Sequence, residues 1–113
     1  MLVPVKTKAR KYSPSVETVF SVNIERNKSI EIYHEGKKTQ TFKIGDTAEY
    51  DSYNLVYLGT ITKITDKTVQ VTEYPGSRNE KRHNLNLYEF CYKNYDFDLD
   101  RINKQNMETS YYI

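Results

Sequence analysis

The stretch from Phe42 to Leu87, FKIGDTAEYDSYNLVYLGTITKITDKTVQVTEYPGSRNEKRHNLNL, decides how the rest of the chain is read. It contains short segments rich in β-branched and aromatic residues at Thr47 to Tyr50, Leu55 to Ile64, Thr68 to Tyr74 and Glu80 to Leu87. Their apolar and polar residues alternate with the period of half-buried strands. Gly45-Asp46 opens the run with a turn, since glycine takes positive φ readily and aspartate bonds its own backbone. Thr65-Asp66-Lys67 and Pro75-Gly76-Ser77 supply tight hairpin turns. Gly59, inside the longest segment, marks a bend or bulge, because a strand glycine weakens the strand unless the backbone needs it. Strands this short, joined by turns this tight, curl into a small barrel.

Working outward, Val16, Thr18, Phe20, Val22 and Ile24 alternate with polar residues and predict a strand before the barrel. A polar turn at Arg26-Asn27-Lys28 leads to Ile30, Ile32 and His34, and Glu35-Gly36-Lys37-Lys38 turns the chain back toward Thr39 to Lys43. This N-terminal part is an antiparallel hairpin or meander. After the barrel, Leu87, Phe90, Cys91 and Asn94 share one helical face, and Asn86 is placed to cap that helix. Asp96 can cap a second helix, with Asp98 and Asp100 in its first turn, Lys104 in its last, and Leu99 and Ile102 as its buried side. The expected architecture is mainly β: residues 1–14 a basic flexible arm and residues 15–113 one domain. Within that domain lie a hairpin (15–41), a small barrel (42–87) and one or two short helices (87–113).

A length of 113 residues suits one modest core. The net charge of +2 is too small to argue for nucleic acid on its own, although Lys6, Lys8, Arg10 and Lys11 form an acid-free arm and the C-terminal end is acidic. The arm reads either as a solvated terminus or as a phosphate-contacting segment. One cysteine, Cys91, rules out an internal disulfide and suits a reducing compartment. The first five residues are too short for the core of a signal peptide, and no run approaches the ~18 apolar residues of a membrane span. These features together point to a cytoplasmic protein with no membrane association.

The chemistry-bearing motifs are sparse. Asp96-x-Asp98-x-Asp100 opens like a calcium loop, but Arg101 and Met107 stand where glycine and a bidentate glutamate are required. His34, His83 and Cys91 lack metal-ligand spacing, so no metal or cofactor is expected. No phosphate loop or nucleophile motif is present, and Glu49, Asp51 and Glu73 read as an exposed strand face. An enzyme is not expected. The tyrosines are the remaining signal: Tyr50, Tyr53, Tyr57 and Tyr74 can gather at one rim of a small barrel, where aromatics cage a cation or stack on a base.

Phe42-x-x-Gly45-Asp46, Tyr57-Leu58-Gly59-Thr60-Ile61, Val69-x-Val71-x-x-Tyr74-x-Gly76, Leu85 and Leu87 resemble a Tudor domain of the SH3-like barrel superfamily. The resemblance implies a rim in which Tyr57, Tyr74 and either Tyr50 or Tyr53, with Asn79 as polar partner, read a methylated side chain. The flanking hairpins and the segment from Leu87 to Phe97 are similar to small bacteriophage-encoded proteins. That similarity implies a non-enzymatic accessory factor acting in the host cytoplasm on a host protein or nucleic acid. Nucleic acid would be met by Lys6, Lys8, Arg10, Lys11, Arg78, Lys81 and Arg82, whereas a free barrel edge would instead serve self-assembly.

Overall fold

A computed structural model describes residues 1–5 and 20–110. Eight strands and two helices follow in chain order: β1 (Val3–Val5), β2 (Phe20–Glu25), β3 (Ser29–His34), β4 (Lys37–Lys43), β5 (Thr47–Ser52), β6 (Val56–Ile64), β7 (Thr68–Glu73), β8 (Lys81–Asn86), α1 (Leu87–Asn94) and α2 (Leu99–Ser110). The strands form two antiparallel four-stranded sheets, β1-β2-β3-β4 and β5-β6-β7-β8. Each sheet is a meander, because every strand pairs with its sequence neighbour. The fold is mainly β, as the alternation predicts.

The inward residues of both sheets and of α1 make one apolar cluster. Phe20, Val22, Ile30, Ile32 and Phe42 come from the first sheet; Ala48, Ile61, Ile64, Val69, Val71 and Leu85 come from the second; Phe90 and Cys91 come from α1. The strands before the barrel segment therefore share its core. Period two is kept in β2 and β3, and by the apolar residues of β7, where Thr72 is buried as well; in β6 the buried residues Ile61 and Ile64 are three apart. A register shift between Ile61 and Lys63 inserts Thr62 and turns both isoleucines inward. A second shift, between Glu49 and Asp51, leaves Tyr50 without a ladder partner. Bulges increase local twist, and these two curl the second sheet. At Gly59 β6 leaves no room for a side chain against β7: a Cβ there would lie 2.9 Å from both the Thr72 carbonyl oxygen and Val71 Cγ1.

The curled sheet does not close on itself. Its edges are β5 and β8, with no ladder between them, and α1 packs against β5, β7 and β8. Four strands are too few to close a barrel, so side chains from α1 and the first sheet fill the opening. Gly45 has φ +96°; its N–H donates to the Ile61 carbonyl at 2.8 Å, and the Ile61 N–H donates to the Asp46 carbonyl at 2.8 Å. The turn read at Gly45-Asp46 thus carries the chain from one sheet to the other alongside β6.

Three asparagines tie the parts together through their amides. Asn27, in the β2–β3 turn, donates its N–H to the Ile64 carbonyl at 2.8 Å and accepts the Ile64 N–H on Oδ1 at 3.1 Å. Asn94 of α1 accepts the Glu49 N–H at 2.8 Å and donates to the Glu49 carbonyl at 3.0 Å, pairing with β5 as a neighbouring strand would. Asn106 of α2 does the same to Val56, at 2.9 and 3.0 Å.

Asn86 caps α1, its Oδ1 accepting the Glu89 N–H at 2.8 Å, and Phe90, Cys91 and Asn94 are buried as their spacing predicts. Burial pushes the Cys91 thiol up to about 12. Several assignments change. Val3–Val5, placed by the sequence in the arm, is β1: it pairs with Phe20, Ser21 and Val22 as an edge strand, a position that tolerates Pro4. Residues 6–14 of the arm, and the first part of the strand expected over Val16 to Ile24, lie outside the described residues; the remainder of that strand is β2. The second helix is capped by Asp98, whose Oδ1 accepts the Arg101 N–H at 3.2 Å, not by Asp96. Phe97 packs on Phe42 with ring centroids 5.7 Å apart, and that anchor delays the helix by two residues. The helix runs past Lys104 to Ser110; Ile102 is buried, but Leu99 is exposed.

Candidate functional site: the tyrosine rim

At one end of the curled sheet the apolar interior gives way to a polar cluster from three strands. Val71 and its cross-strand partner His83 share the inward face of β7 and β8, and Glu73 is two residues beyond Val71 on that face. Tyr50, set free by the β5 bulge, stacks on the His83 ring with centroids 3.9 Å apart and planes 10° apart. Its hydroxyl donates to Glu73 Oε1 at 2.5 Å, and His83 Nε2 is 3.0 Å from Glu73 Oε2. Edge strands β5 and β8 are thus joined by side chains where no backbone ladder joins them.

The cluster's electrostatics are internally consistent. The Tyr50 hydroxyl, and then His83, hold the Glu73 carboxyl below its ordinary value. Burial, followed by the bond to Glu73, pushes the Tyr50 phenol well above its own. An ionised Glu73 only accepts, so His83 donates through Nε2. A depressed carboxyl adds stability above its unfolded value near 4.5 and loses it as pH falls through the lower folded value. We expect unfolding free energy to decline on acidification below about pH 5. Tyr50→Phe, which removes the leading donor, should flatten that decline in urea titrations from pH 6 to about pH 3; an unchanged slope would show that the bond is not formed in solution.

Outside this cluster the tyrosines turn to solvent. Tyr57 lies 6.2 Å from Tyr50 between centroids, and Tyr53 meets Tyr57 edge-on at 6.2 Å. Tyr53 is 79% exposed and Tyr57 37%, so the surface is graded from an anchored ring to a free one. Asp51, the register partner of Tyr57, adds a carboxylate with Lys93 Nζ 4.0 Å away. Tyr74 and Asn79 are not part of this group. Tyr74 is 69% exposed in the β7–β8 turn at φ +49°, and its ring contacts none of the other three. Asn79 lies in the same turn, its N–H bonded to Ser77 Oγ at 3.2 Å.

Glu49, Asp51 and Glu73, grouped by the sequence as one exposed face, are divided by the bulge at Tyr50. Glu73 faces the cluster, whereas Glu49 lines a separate groove beside α1. Glu73 and His83 were not among the expected site residues, yet both continue the inward parity of Val71 and Leu85, which is visible in the sequence. Of the expected phosphate contacts, Arg78, Lys81 and Arg82 are exposed along the β7–β8 turn and β8, and Arg82 pairs with Glu80 at 3.1 Å. Lys6, Lys8, Arg10 and Lys11 lie outside the described residues. Among the described residues no three His, Cys, Asp or Glu side chains converge as a metal site would require, and no helix is long and apolar enough to cross a membrane. No family model, curated protein or solved structure gives a significant match to the chain.

Proposed function

We propose that this protein is a non-enzymatic binding module that engages a partner protein through the rim formed by Tyr50, Tyr53 and Tyr57. The observation that carries this reading is the contrast between a fixed base and an exposed tip. Tyr50 is held by His83 and Glu73, while Tyr53 and Tyr57 present ring faces and edges to solvent beside Asp51. Partly exposed tyrosines, anchored at Tyr50 and next to carboxylates, suit a cationic side chain, held by the ring quadrupoles and by charge. Carboxylates in the same place repel a phosphate backbone, so the rim favours protein over nucleic acid. The motif resemblance to Tudor domains supports the finer reading, an SH3-like module reading lysine-type cations. The resemblance to phage proteins makes the partner a host protein.

The test is an NMR titration of the labelled chain with lysine and trimethyllysine peptides and, at low salt, with a single-stranded oligonucleotide. Peptide binding should shift the resonances of Asp51 to Tyr57. Tyr53→Ala combined with Tyr57→Ala should weaken it roughly tenfold or more. Because Tyr53 is exposed, circular dichroism of that variant should match the parent. Oligonucleotide binding that survives the double substitution, with no peptide response, would overturn the proposal.

A further inference from the structure

Beside the C-terminal end of α1 runs a groove of about 260 Å3 lined by Glu49, Ser52, Tyr92, Lys93, Tyr95 and Asp96. It involves none of the rim tyrosines. Its walls are fixed from behind. The Asn94 amide clamps the backbone of Glu49. Tyr95 packs on His34 and Phe20, with centroids 4.7 and 5.4 Å away, and Tyr92 stacks on Tyr88 at 6.0 Å. Arg101 binds the Asp96 carbonyl at 3.0 Å and has its guanidinium 3.7 Å from the Asp96 carboxylate.

Three features of the groove favour positive charge. Two carboxylates, Glu49 and Asp96, line it. The negative end of the α1 dipole opens beside it, which favours a cation in the same place. Two tyrosine rings, exposed in part, offer π-faces. The chain has already placed two cations here: the Arg101 guanidinium stands beside the Asp96 carboxylate, and Lys93 lines the groove, stands 4.0 Å from Asp51 Oδ1 and acts electrostatically on Glu49, which leaves Glu49 as the carboxylate open to a partner. Lys93 is not enough for Glu49, whose carboxyl is pushed up chiefly by burial, and among the described residues no side chain donates to that carboxylate.

We infer that this groove is a second recognition site and that it takes the guanidinium of an arginine side chain from a partner protein. A guanidinium is planar, stacks on tyrosine and forks onto a carboxylate, and so uses both kinds of wall at once. An ammonium meets the rings and the charge but has no planar fork for the carboxylate, and Lys93 competes with it. The groove touches the rim only through the Lys93–Asp51 pair and contains none of its tyrosines, so shifts at Tyr92 to Asp96 and shifts at Tyr53 and Tyr57 tell the two proposals apart.

The experiment is a titration of the labelled full chain with N-acetyl-arginine methylamide, with the lysine and glutamine analogues as controls. The arginine compound should give saturable shifts at Glu49, Ser52 and Tyr92 to Asp96; the lysine analogue should bind several-fold more weakly and the glutamine analogue not at all. Glu49→Gln should raise the dissociation constant at least roughly tenfold. Lys93→Gln, at a position whose side chain is 25% exposed, should lower it several-fold by removing the internal competitor. No saturable shift in the parent, shifts confined to Tyr53 and Tyr57, or weaker binding by Lys93→Gln would each overturn the inference.

Discussion

Asn94→Ala is expected to lower the unfolding free energy by about 2 to 4 kcal/mol, a large share of the ~5 to 15 kcal/mol that holds a domain together. The side chain is fully buried and makes three hydrogen bonds, with the Glu49 N–H, the Glu49 carbonyl and the Phe90 carbonyl. Alanine leaves the first two groups unpaired on an edge strand that the helix covers, and a polar group stripped of its partner costs far more than an average hydrogen bond contributes. Asn94→Asp is the informative companion. It keeps an acceptor for the Glu49 N–H but loses the donor and sets a carboxylate against two carbonyl oxygens, so it too should destabilise, increasingly as pH rises through the carboxylate range. Urea denaturation measures both. A loss under about 1 kcal/mol for the alanine variant would mean that water replaces the clamp.

Phe90→Ala should be at least as damaging, at about 3 to 5 kcal/mol. Its ring is fully buried and meets Phe42 nearly edge-on, with centroids 5.4 Å apart and planes at 76°. The substitution removes one of the apolar contacts between α1 and the first sheet, leaving Tyr88 on Phe20, and leaves a cavity that a β-sheet framework cannot collapse around. Phe90→Leu keeps most of the volume and should cost less than about 1.5 kcal/mol. The ratio of the two losses separates cavity formation from loss of the aromatic pair. Because Phe90 and Asn94 are one helical turn apart and the Phe90 carbonyl is bonded to Asn94, their double variant should depart from additivity.

How much of this was legible in the sequence depends on the range over which the signal acts. Alternation in β5 to β8, the turn at Gly45-Asp46, the Asn86 cap and the buried face of Phe90, Cys91 and Asn94 are local, and local chemistry specifies them. The bulges at Tyr50 and Thr62 are not: each breaks the period-two reading by one residue, and only the partner strand shows where the extra residue goes. That single step separates Glu73 from Glu49 and Asp51. The second helix shows the same limit, because Asp96, Asp98 and Asp100 are equivalent candidates for a cap until Phe97 finds Phe42 across the core. β1 was hidden by its three-residue length and by Pro4. Of the rim, Tyr50, Tyr53 and Tyr57 were visible as a cluster within eight residues of sequence, whereas His83 and Glu73 join it only through the curl that brings β8 toward β5.

The lone thiol beneath α1 has a practical use. Cys91 is fully buried, and with its proton held up to about pH 12 it is chemically silent while the helix is seated. Alkylation therefore requires the helix to lift and the Asn94 clamp to release. Where reclosing is faster than the reagent, the rate of labelling measures the fraction of time the molecule is open. The protein thus carries a one-atom clock at the joint between its helical cap and its sheets, readable by mass without any added probe.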